Sequence, residues 1–183
     1  VCSSDLPDHQ ARLNDDRPIS VNSIVVNENS PWGVFTVLAT AGQSLELAIE
    51  IDSDTSTADA GLGIDAGPLL QVLLNNVWVN YTSAVTVPMD GRLMVRTAIH
   101  DDSINEGPEF FQLKVTNAVG DPYYGSATIL DDGRGVVYSG TDPVPGAILD
   151  DDRPVQVNHV VVNENSPWAM FKVTATAGQY LSL

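Results

Sequence analysis

One stretch occurs twice in this chain, and no other feature constrains the fold as much. Leu13-Asn-Asp-Asp-Arg-Pro-Ile-Ser-Val-Asn-Ser-Ile-Val-Val-Asn-Glu-Asn-Ser-Pro-Trp32 returns as Leu149-Asp-Asp-Asp-Arg-Pro-Val-Gln-Val-Asn-His-Val-Val-Val-Asn-Glu-Asn-Ser-Pro-Trp168. The match runs on through Thr-Ala-Gly-Gln (Thr40 to Gln43 and Thr176 to Gln179) to Leu183. Solenoid units recur every 20–50 residues, whereas the offset from Leu13 to Leu149 is 136 residues. The repeated unit is therefore expected to be a whole domain in a tandem string. On this reading 1–15 is a non-native start followed by the tail of a preceding linker, because Val1-Cys-Ser-Ser-Asp-Leu6 resembles a translated sequencing adapter. Residues 16–133 form one complete sandwich domain, 134–153 a linker, and 154–183 the truncated start of the next repeat. Such a fragment suits an environmental read cut at arbitrary points.

Inside the unit the periodicity is that of strands. Val34–Thr40 and Ser44–Ile51 alternate apolar and polar residues, the sign of half-buried strands. Ile19–Glu28 alternates weakly. Leu69–Leu74 and Val77–Tyr81 flank Asn75-Asn76, which reads as a hairpin turn. Val85–Val87, Arg92–His100, Phe110–Asn117 and Tyr124–Leu130 complete the set, while 52–68 and 133–154 read as loop and linker. Seven or eight short strands with frequent turns predict an all-β antiparallel sandwich. The two or three strands of 154–183 have too little chain to bury a core, so they are expected to be poorly packed or paired against an edge of the complete domain.

Charge excludes several functions. Eight Lys and Arg face 24 Asp and Glu, for a net charge of −16. That balance argues against nucleic acid, whose phosphates recruit basic side chains, and against an anionic membrane surface. No apolar run reaches the roughly 18 residues of a membrane span. The single cysteine, Cys2, allows no internal disulfide, and a metal is a common substitute staple. The acids gather at the ends of apolar runs. Asp101, Asp102, Glu106 and Glu109 lie within nine residues, between two strands. Hard oxygen ligands bunched on a loop fit a calcium ion; a solvated acidic turn is the alternative.

Asp101-Asp-Ser-Ile-Asn-Glu-Gly-Pro-Glu-Phe-Phe-Gln-Leu-Lys-Val-Thr-Asn117, followed by Gly125-Ser-Ala-Thr-Ile-Leu-Asp-Asp-Gly133, resembles the C-terminal half of a Calx-beta domain. That half reads Asp-Asp, a short gap, Glu-Gly-x-Glu-x-Phe, an apolar strand, then Gly-Ser-Ala-Thr-Ile-x-Asp-Asp. Val25-Val-Asn-Glu28 is similar to the family's opening Val-x-Glu, although Asn29 stands where Gly is usual, and 53–90 matches poorly. The resemblance implies an immunoglobulin-like sandwich of the kind strung together in large bacterial surface proteins. It implies Ca2+ at one end of the domain, with Glu28, Asp101, Asp102, Glu106, Asp131 and Asp132 as ligands. Glu109, directly before Phe110, is expected to point outward.

Other chemistry lacks its pattern. Asp52-Ser-Asp54 misses the Gly and closing Glu of an EF-hand. Glycosidase carboxylates need contrasting environments, which a dense exposed cluster does not offer. His9, His100 and His159 are scattered, and Ser23 stands where the second copy has His159. Asp150-Asp-Asp152 and Asn14-Asp-Asp16 read as a solvated linker or as part of an inter-domain ion site. Trp32 and Trp168 are expected to serve core or junction packing, and Trp78 the core. The expected function is a calcium-stiffened module of an extracellular adhesin stalk, with neighbouring repeats as partners and no enzymatic activity. The alternative is a module that binds a host or surface glycan or protein.

Overall fold

The computed structural model describes residues 16–51 and 59–183. The adapter-like start, Cys2, His9, Asn14, Asp15 and Asp52-Ser-Asp54 lie outside them. Ten strands form two facing sheets. One sheet runs β1 (Ser20–Val21), β3 (Trp32–Leu38), β8 (Arg92–Ile99), β5 (Ala66–Leu74) and β6 (Val77–Asn80), in that order. The other runs β2 (Ile24–Asn27), β10 (Pro122–Leu130), β9 (Glu109–Thr116), β4 (Ser44–Glu50) and β7 (Val85–Thr86). Every ladder is antiparallel except β2 with β10, which is parallel. With β1, β3, β4, β5, β8, β9 and β10 taken as strands A to G, the sheets read A-B-E-D and C-F-G. That is the immunoglobulin order, so the fold is an all-β sandwich as the strand pattern predicts.

Alternation makes the core. On β8 Leu93, Val95, Thr97 and Ile99 are buried, and on β9 Phe111, Leu113 and Val115. Phe35 of β3 meets Phe111 edge to face, with centroids 6.0 Å apart and planes at 76°, the geometry aromatic quadrupoles favour. Asn75 and Asn76 sit at φ 50° and 62°, which is the left-handed pair that a two-residue type I′ hairpin requires.

Three expectations need correction. Ile19–Glu28 is two strands, not one. The Asn22 carboxamide oxygen accepts from the Thr36 amide at 2.6 Å, and the Asn22 amide donates to the Thr36 carbonyl at 3.2 Å. This closes the pairing with β3, and the chain then crosses to the opposite sheet as β2. The loop predicted to Pro68 ends earlier, since Ala66–Pro68 already belong to β5. Trp78 is not core. Its outward position on β6 places it beside Arg96, whose guanidinium lies 4.3 Å from the Trp78 ring centre and 3.7 Å from that of Trp32.

The stretch read as a linker is held against the end of the sandwich. The Val136 amide donates to the Val25 carbonyl at 3.2 Å, and the Asn27 amide to the Val136 carbonyl at 3.0 Å. Val137 is buried, and the Tyr138 amide donates to the Ser30 hydroxyl at 2.9 Å. Beyond it, β11 (Gln156–Val157) pairs among the described residues only with β12 (Val173–Thr174), and most of 154–183 is exposed.

Candidate metal centre

Four chain segments end at one pole of the sandwich. β2 ends at Asn27, directly before Glu28, β8 leads into the acidic loop 100–108, β9 opens on Glu109, and β10 runs into Asp131. Glu28 is held by its own backbone, whose amide donates to the Leu130 carbonyl at 3.0 Å. Its Oε1 accepts the Asp102 amide at 3.3 Å. Asp102 Oδ1 accepts the Ile104 amide at 2.7 Å, a local turn that short Asp side chains favour. Asp131 ties two segments together: Oδ2 accepts the Glu106 amide at 2.7 Å, and Oδ1 the Asp152 amide at 3.1 Å.

Among the described residues three groups of carboxylates result, each with one oxygen per residue and all within 4.8 Å of one another: Glu28, Asp101 and Asp150; Asp131, Asp150 and Asp152; and Asp65, Glu106 and Glu109. The first two share Asp150. Burial and mutual repulsion mark the cost of this crowding. Glu28 is pushed up to about 7, first by burial and then by Asp131. Glu109 rises to about 8 through burial and Asp65, with which its carboxyl shares a hydrogen bond. Asp150 rises to about 6 through burial and Asp152. The nearby cations point elsewhere: Arg134 pairs with Asp132, and Arg153 with Asp151 at 2.7 Å. Buried oxygens of Asp150, Asp152 and Asp132 have no hydrogen-bond partner among the described residues.

No protein-family model matches this chain, and no curated protein does. Among solved structures it is similar to the N-terminal domain of PorA, at 12% identity and a TM-score of 0.31, over 61% of this chain and 97% of that one. So loose a likeness carries no functional argument, and the pole has to speak through its own residues.

Of the six expected ligands, Glu28, Asp101, Glu106 and Asp131 enter the carboxylate groups. Asp102 lies alongside Glu28 through its amide, and Asp132 turns to Arg134. Glu109 does not point outward. It is half-buried against Asp65 and Glu106, because its place at the first residue of β9 turns it toward the pole while Phe110 faces out. Nor are Asp150 and Asp152 solvated linker residues, since backbone hydrogen bonds draw both into the cluster. Asp16, the described counterpart of Asp152, is exposed. Asp65 joins the pole too, with no pattern in the sequence to mark it. Its Oδ2 accepts the Gly61 amide at 2.6 Å. The donors are all carboxylate oxygens, a set suited to a hard divalent cation.

Proposed function

We propose that this chain is a calcium-binding structural module from a tandem-repeat extracellular adhesin, in which the ion stiffens the stalk. The buried, partnerless oxygens of Asp150 and Asp152 beside Asp131 and Glu28 carry the reading. Buried charge is tolerated where it is paired or metal-bound, and a cation of two charges with flexible oxygen coordination fits this arrangement. The Asp-Asp…Glu-Gly-x-Glu resemblance supports the same ion, and the duplication supports a spacer, because a spacer gains reach from being copied. An extracellular setting follows from this reading. Among the described residues no helix is long and apolar enough to cross a membrane. The glycan-binding alternative gains nothing from Trp32 and Trp78, because Arg96 fills the space between their rings.

Thermal melts in excess EDTA and in millimolar calcium test the proposal. At free calcium 100 times the dissociation constant, one site adds about 2.7 kcal/mol, which raises Tm by several degrees. An unchanged Tm together with no calorimetric heat of binding would sink it.

A further inference from the structure

The strap that follows β10 is built for its seat. Asn27 is fully buried, and the carbonyls of Leu130, Arg134 and Asp150, at 3.2, 3.0 and 3.1 Å, share the two hydrogens of its carboxamide nitrogen. Its oxygen accepts the Asp150 amide at 2.8 Å. One side chain thus grips Asp150 by both backbone groups and leaves that residue's carboxylate free to face the pole. Asn29 adds a surface contact, donating to the Ile148 carbonyl at 3.0 Å. At Gly135 a Cβ would sit 2.5 Å from the Asn27 amide nitrogen and 2.6 Å from the Val26 carbonyl carbon, and the backbone there has φ +95°. Only glycine permits this approach at such a φ.

What the strap delivers belongs to the second repeat by sequence. Leu149-Asp-Asp-Asp-Arg153 is the copy of Leu13-Asn-Asp-Asp-Arg17, immediately ahead of the repeated first strand. We infer that Asn27 and Gly135 form a latch that seats the acidic opening of the second repeat on the pole of the first, so that the cation site is assembled from two repeats. The inference rests on the calcium reading for its ion, and on hydrogen bonds and close packing alone for the latch. Asn27 and Gly135 are positioning residues here and touch no ion. The Asp151–Arg153 pair and Gln179, whose side chain donates to the Arg153 carbonyl at 2.5 Å, tie the seated segment to the body of the second repeat.

Two readouts on the full chain separate latch from ion. The first is the rate of tryptic cleavage after Arg134 in EDTA, which reports whether the strap opens. The second is calcium affinity by calorimetry. Gly135→Ala should accelerate cleavage at least tenfold and weaken calcium binding at least tenfold, with amide exchange in β3, β8 and β9 unchanged. Asn27→Ala should do the same; because Asn27 is buried, Asn29→Ala serves as a milder variant with the same direction and smaller size. Asp150→Asn should weaken calcium without opening the strap, since its backbone contacts persist. Asn163→Ala, at the equivalent place in the second copy, should change neither. Parent-like calcium affinity in Gly135→Ala overturns the two-repeat site even if the ion binds. Faster cleavage in Gly135→Ala with no calcium bound by the parent overturns the ion reading and the shared site, and leaves the latch as a plain junction clamp.

Discussion

Residues 18–47 and 154–183 carry nearly the same sequence in two settings. Their local structure is the same. Ser20↔Leu38 and Val21↔Val37 in the first copy become Gln156↔Thr174 and Val157↔Val173 in the second, shifted by the repeat length. The Ser30 hydroxyl donates to the Trp32 carbonyl at 2.7 Å, and Ser166 to Trp168 at 2.9 Å. Gln43 and Gln179 each accept the amide of a threonine three residues earlier at 3.2 Å. Burial is not the same. Phe35 has no exposure while Phe171 is 65% exposed, and Val26 has none while Val162 is 49% exposed. Turns and register are thus written within a few residues, but the core is made by β8, β9 and β10, to which the second copy has no counterpart in the described residues.

The sharpest way to break the comparison is a paired truncation. Phe35→Ala should cost about 3–5 kcal/mol, the usual range for a buried aromatic, and shift the cooperative melt accordingly. Phe171→Ala should stay within about 0.5 kcal/mol. Equal effects would mean that the second copy is packed after all. Next comes pH in EDTA. Glu28, Glu109 and Asp150 have raised folded values of about 7, 8 and 6. The folded state then binds more protons than the unfolded one, so stability falls as pH rises. Metal-free Tm should drop by several degrees between pH 5 and pH 8, and Glu28→Gln should flatten the slope. Glu164→Gln, its exposed counterpart, should leave the melting curve in place. A smaller effect is expected at the Trp32–Arg96–Trp78 stack. Arg96→Ala should lower stability by about 1 kcal/mol and make Trp32 more open to iodide quenching, whereas Trp168, already 78% exposed, should be quenched equally in both proteins. The least effect belongs to the Lys114–Glu50 surface pair, 2.6 Å apart, where solvent screens the attraction and Lys114→Met should leave the melting curve almost unmoved.

Periodicity made the sandwich legible, because half-buried strands must alternate and Asn75-Asn76 must turn. The pole was legible only in part. Glu28, Asp101, Glu106 and Asp131 stand at strand ends, where the Calx-beta resemblance places ligands. Asp65 and Asp150 reach the same point by long-range folding, which no local pattern encodes. The side of the strand to which Glu109 turns depended on where β9 begins, and Phe110 beside it gave the wrong cue. By its pattern Asn27 is one more strand residue; its role depends on carbonyls more than 100 positions away in the chain.

The parallel pairing of β2 with β10 has a mechanical consequence. After the short β1, β2 starts at Ile24 and β10 ends at Leu130, and Ile24↔Ala127 through Asn27↔Leu130 lie side by side in the same direction. Tension applied between the two ends drags these strands past each other lengthwise, so their bonds must fail together, not one after another as in a zip. The Val26–Val136 bridge on the other flank of β2 adds to that grip. A domain wired this way yields to load late and abruptly.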